Sequence, residues 1–149
     1  MHAVITNTVN PQPKARTSIR VANIALWILQ LLMAALFFWH GQFSVFPPAD
    51  MVAMINANIG ERLRVFIGVA EILAAIGLIL PGLTRILPGL TALAAAGLMI
   101  VMSSATVLHL FRGETASAIS ALVIFLLVTV VAYTRWKVLP IAARRFAKA

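Results

Sequence analysis

The stretch that decides the fold runs from residue 63 to 80, Leu-Arg-Val-Phe-Ile-Gly-Val-Ala-Glu-Ile-Leu-Ala-Ala-Ile-Gly-Leu-Ile-Leu, and it is followed by Pro81-Gly82. Only Arg64 and Glu71 interrupt the apolar run. A helix of this length, rising about 1.5 Å per residue, crosses most of a hydrocarbon core of roughly 30 Å, and a Pro-Gly pair is a helix stop. Three runs of the same kind flank it, at about 21–45, 86–111 and 116–136. The whole chain agrees, being 62% hydrophobic and 11% charged with a mean hydropathy of +0.99, whereas a soluble domain carries roughly a quarter charged residues. The reading is an all-α membrane protein: a four-transmembrane-helix antiparallel bundle over residues 19–137, with the lipid bilayer as its surrounding partner.

Outside the spans there is little room for a further domain. Residues 1–18 are polar, lack a periodic apolar pattern, and read as a flexible cytoplasmic tail. The first run follows Lys14, Arg16 and Arg20 in the manner of a signal peptide, but it is longer than the roughly 7 to 15 apolar residues of such a segment, and no small-residue cleavage site follows. It is therefore the first span. After Phe46-Pro47-Pro48, residues 50–60 place Met51, Met54, Ile55 and Ile59 at helical spacing, which predicts a short interfacial helix. The hexapeptide Ile-Leu-Pro-Gly-Leu-Thr occurs at 79–84 and again at 86–91, an offset too short for a solenoid repeat. It reads as a tight helical hairpin with Pro88 in the first turn of the third span, where its missing N–H costs nothing. Ala70, Ala74, Gly89, Ala92, Ala96 and Gly97 recur at helical spacing and predict close helix packing. Residues 138–149 form a basic juxtamembrane tail.

Charge gives an orientation. Of the 12 Lys and Arg residues, Lys14, Arg16, Arg20, Arg85, Arg135, Lys137, Arg144, Arg145 and Lys148 fall on the side of the termini. Arg62, Arg64 and Arg112 fall on the other side, with all 4 acids: Asp50, Glu61, Glu71 and Glu114. Lys and Arg in short loops favour the cytoplasm, so both termini and the Arg85 hairpin are expected inside, in a bacterial cytoplasmic (inner) membrane. Trp136 between Arg135 and Lys137 reads as an interfacial anchor. The net charge of +8 is dispersed over helix ends and is matched by lipid phosphates, not by nucleic acid. With no cysteine the chain runs no thiol-disulfide relay of its own.

Bilayer physics alone does not account for Gln30, His40, Arg64, Glu71, His109 and Arg112. Glu71 is the most informative, because an ionised carboxylate at mid-span costs at least roughly 2.5 kcal/mol and must face the bundle interior, find a partner or bind a proton. Arg64, Gly68 and Glu71 share one helix face. Thr106, His109 and Arg112 follow at i, i+3 spacing on the third span, with Ser103 one turn deeper, and are expected to face Glu71. His40, beside Trp39, closes the first span at the same outer end, and Gln30 is read as lying deeper in the same half. A polar pocket in the outer half, under the interfacial helix, is the expected ligand-binding or proton-linked site. The inner half reads as a dry anchor of Leu, Ile, Val and Ala. Each residue also has a plainer role: Arg112 can snorkel, Arg62 and Arg64 can mark a helix entry, and a histidine near a helix end is commonly interfacial. A quinone, which needs donors for its carbonyl oxygens, an aromatic slot and a proton-exchanging group, suits His40, His109, Glu71, Trp39 and Phe37 better than a haem on the two histidines. No metal-ligand run, nucleotide loop or nucleophile motif is present.

From about Ala25 to Trp136 the layout resembles the DoxX and DoxX-like family of small four-helix membrane proteins. The segment from Arg64 through Gly68, Glu71 and Gly77 to Leu80-Pro81 looks like that family's second helix, and His109-Leu-Phe-Arg112-Gly113-Glu114 resembles the end of its third. Two places depart from the family pattern: Phe38-Trp39-His40-Gly41-Gln42-Phe43 stands where a small-residue segment and a lysine are usual, and the fourth span lacks an asparagine near its start. The resemblance implies sulfur-compound or quinone-linked oxidation, or membership of membrane oxidative-stress complexes. The expected function is therefore a quinone-linked or redox-associated membrane subunit with membrane or soluble redox partner proteins and no independent activity. The alternative is a non-catalytic scaffold or assembly partner. A small-molecule or proton carrier is disfavoured by the dry inner half.

Overall fold

The computed structural model describes residues 13–144. Its helices are α1 (Pro13–Val45), α2 (Val52–Ile59), α3 (Glu61–Thr84), α4 (Gly89–Phe111) and α5 (Thr115–Tyr133), and α5 continues into a π-helical turn at Thr134–Val138. No strand occurs among the described residues. α1, α3, α4 and α5 are long and apolar enough to cross a membrane, and the chain is an integral membrane protein. α1 packs on α3, α3 on α4 and α4 on α5, while α5 closes more lightly against α1.

Each span buries a narrow seam and leaves most of its large aliphatic residues outside. On α1 the seam is Leu26, Gln30, Met33, Ala34, Phe37 and Gly41; on α3 it is Arg64, Gly68, Glu71, Ala75, Leu78 and Pro81. These steps of three and four put one stripe on one face. Leu83 and Ile100 are each 70% exposed in the isolated chain, which in water would be a fault and in lipid is the required surface.

The α1–α3 seam is antiparallel in even register. Ser44 meets Arg64, Gly41 meets Gly68, His40 meets Glu71 and Gln30 meets Leu78. A β-carbon on Gly41 would lie 2.7 Å from Gly68 O, and one on Gly68 would lie 2.8 Å from Gly41 O. The two backbones touch there, as small residues allow in a membrane. α3 and α4 approach closely at Gly77, where a β-carbon would lie 2.8 Å from Ala94 Cβ. Gly89 and Gly97, expected to mediate packing, have nothing within 4 Å of such a β-carbon. They face away from the seam.

Element boundaries differ from expectation in ways the physics explains. α1 starts at Pro13, so residues 13–18 of the expected tail are helical; residues 1–12 and 145–149 lie outside the described residues. Proline is tolerated in a first helical turn. α3 runs through Pro81 to Thr84 and is capped by Arg85, which takes the left-handed conformation at φ 59°. Pro81 gives no N–H to Gly77 O, and the loosened turn finds other donors: Leu78 O accepts from Gln30 Nε2 at 2.7 Å, and Leu80 O from Thr84 Oγ1 at 2.8 Å. α4 starts one residue after Pro88, which stands at its N-cap with φ −61°.

Candidate functional site

Glu71 is fully buried in the middle of α3, at 0% exposure. Its Oε2 lies 2.7 Å from Nδ1 of His40, a residue whose side chain is 60% exposed. The Gly41–Gly68 contact makes this possible, because it brings the α1 and α3 axes close enough for a side chain one residue away to reach across. A distance of 2.7 Å is that of a charge-assisted hydrogen bond, with a single proton between the imidazole nitrogen and the carboxyl oxygen. The second oxygen, Oε1, is buried and has no partner among the described residues. The pair thus joins a carboxyl group sealed in the bundle to a ring on its surface. Leu36 and Phe43, spaced i−4 and i+3 from His40, are also exposed and flank it on the outer face of α1.

About two turns toward the α2 end, Arg64 is buried at 5% exposure. Its Nη1 donates to Ser44 O and, at 3.5 Å, to Val45 O, and its Nε donates to Asn56 Oδ1 at 2.9 Å. Ser44 and Val45 carry the last carbonyls of α1, which have no intrahelical donors, and a cation there also suits the negative end of the helix dipole. Arg64 therefore caps α1 and fastens α2. Arg112 adds a second fastening, Nη2 donating to Asn58 O at 2.6 Å. α2 has no buried residue of its own and is held down by these two arginines.

The other expected site residues lie elsewhere. His109 pairs through Nδ1 with Oε2 of Glu114 at 2.5 Å, on the loop that follows its own helix. With Gly77 level with Ala94 in antiparallel helices, His109 stands about nine residues, or roughly 13 Å, beyond the level of Glu71. Ser103 is exposed and bonds back to Ile100 O. The polar stripe on α4 does not converge on Glu71. Trp39 is 77% exposed, and Phe37, at 2%, belongs to the core.

Gln30 also leaves the expected pocket. It lies ten residues below His40, and there it forms a second buried polar cluster, in the half expected to be dry. Its Oε1 accepts from Arg135 Nε at 2.6 Å; Arg135 Nη1 donates to Asn23 Oδ1 at 2.8 Å and to Leu139 O at 3.2 Å. The guanidinium carbon stands 5.2 Å from the Trp27 ring centroid, within cation–π range. Arg135 is 5% exposed and points inward, unlike the expected anchor; Trp136 and Lys137 are both exposed, with the Lys137 Nζ 5.8 Å from the Trp136 ring centroid. One signal in the sequence pointed to this cluster: Asn23 and Gln30 are seven apart and so share one face of α1. Nothing local marks Arg135 as their partner. Among the described residues no group of His, Cys, Asp or Glu could hold a metal ion.

The molecule is thus a four-helix membrane bundle with a buried carboxyl bonded to a surface imidazole. The model of the DoxX-like family matches residues 28–132, and the chain belongs to that family. No curated relative and no solved structure matches it significantly.

Proposed function

We propose that the chain is a membrane subunit of a redox system in which the Glu71–His40 pair exchanges a proton with a lipophilic carbonyl ligand of the quinone class. The observation that carries this reading is the pairing of a fully buried carboxyl with a largely exposed imidazole at 2.7 Å. Buried acids within membrane spans are costly and are functional by default. A proton taken up at the surface by His40 has one hydrogen bond to cross to reach Glu71. The donor set fits the ligand class: a carbonyl oxygen is served by a ring N–H or a protonated carboxyl, and Leu36 and Phe43 beside His40 offer an apolar flank open to the bilayer. His109 and Trp39 are not needed. The charge bias supports a topology with both termini in the cytoplasm and α2 at the outer surface.

A scaffold role is the second reading. It is favoured by Arg64, Arg112, Gln30 and Arg135, which all bond to backbone carbonyls or side-chain amides and so brace the bundle. Ubiquinone and menaquinone binding to purified protein in nanodiscs separates the two. The redox reading expects saturable binding that Glu71→Gln weakens while the fold survives. No binding, or binding indifferent to both Glu71→Gln and His40→Phe, leaves the scaffold.

A further inference from the structure

Arg135 is a buried guanidinium bonded, among the described residues, only to neutral acceptors: Gln30 Oε1, Asn23 Oδ1 and Leu139 O. All 4 Asp and Glu side chains of the chain are at positions 50, 61, 71 and 114, none of them at this end of the bundle. Among the described residues its Nη2 is buried without a partner, and so is Oγ1 of Thr91 in the first turn of α4, the helix that packs against the π-helical turn carrying Arg135. A π-turn within a helix is often a functional feature. A desolvated cation without an anion is unfavourable, and a free donor on it makes the deficit specific.

What covers Arg135 is the non-helical segment 139–144. Leu139 O lies on the guanidinium, Ile141 packs by Gly82 next to Trp27, and the Arg144 N–H donates to Arg85 O at 2.9 Å. This end of the bundle also carries Arg20, Arg85 and Lys137 at its rim. The chemistry that suits the Arg135 donor is that of an anion, and a bilayer presents phosphate oxygens at this end of the bundle. Basic clefts between helices at this depth suit lipid headgroups, and a guanidinium fork matches phosphate in two places.

We propose that Arg135, with Asn23 beside it and Thr91 on the helix that packs against its turn, forms a phosphate-binding site beneath segment 139–144. The phosphate is that of a lipid headgroup or of a free anion; the chemistry is the same and the experiment separates the sources. The site is independent of the Glu71–His40 pair.

The test uses the full chain, stripped of lipid in neutral detergent, with phosphatidylglycerol, diacylglycerol and sodium phosphate as probes, read by native mass spectrometry and thermal unfolding. Phosphatidylglycerol should bind at low stoichiometry and raise the unfolding midpoint, and diacylglycerol should do neither. Arg135→Lys keeps the charge but loses the fork and should weaken binding roughly tenfold or more, whereas Arg20→Gln on the rim should leave it unchanged. Sodium phosphate acting as well as the lipid also supports the site and makes a free anion its ligand. Hydrogen exchange on the wild-type protein needs no variant: phosphatidylglycerol, compared with diacylglycerol, should slow exchange within 134–144. The site is overturned if neither phosphate probe binds, if Arg135→Lys binds like wild type, if Arg20→Gln weakens binding equally, or if exchange within 134–144 does not change.

Discussion

Gly41 and Gly68 meet backbone to backbone, each so placed that a β-carbon on it would come within 2.8 Å of the other's carbonyl oxygen. That contact sets the register of α1 on α3 and brings His40 over Glu71. The nearest obstructing atom in each case is a main-chain oxygen, which cannot turn aside as the end of a flexible side chain can.

Gly41→Ala and Gly68→Ala should each therefore destabilise the bundle by about 1–3 kcal/mol, the usual cost of overpacking. Gly97→Ala, with open space around it, should be neutral or stabilising by up to about 1 kcal/mol through helix propensity. Unfolding in detergent measures both. Equal losses at Gly68 and Gly97 would show that the seam is not where the backbones touch.

Arg64→Ala should cost about 1–3 kcal/mol, because it leaves Ser44 O and Val45 O without their donor and releases Asn56. Hydrogen exchange across α2 should speed up. Arg64→Lys should restore only part of the loss, since one ammonium cannot span the end of α1 and Asn56 as the guanidinium does. Unchanged exchange in α2 would remove Arg64 as its fastening.

The topology is open to a direct check because the chain has no cysteine. Single cysteines at Asn58 and Gly113 should react with an impermeant thiol reagent from outside intact cells, and one at Thr84 only after the membrane is opened. The reverse pattern would invert the orientation drawn from charge.

The four spans and Glu71 were legible because a bilayer tolerates so few polar residues that each exception stands out. Partnership was not legible. Which residue meets Glu71 depends on the depth at which α1 lies on α3, and that depth is set by two glycines on different helices. The expected convergence of His109 and Arg112 on Glu71 failed because their distance along α4 had no reference until Gly77 was found against Ala94. Gln30 was placed in the wrong half for the same reason. Arg135 is hidden in the sequence because an arginine beside tryptophan and lysine at a span's end has the composition of an anchor, and only the turn of the helix shows that it points inward.

Under the proposed function Glu71, through His40, gives and takes the proton of a bound quinone. Infrared difference spectra of the protein in nanodiscs, recorded on adding an oxidised quinone and then on reducing it, test this most directly. The account predicts a carboxyl band that responds to the quinone, shifts in D2O, is absent in Glu71→Gln and is altered in His40→Phe. Quinone-induced spectra that are the same in wild type and Glu71→Gln would contradict it.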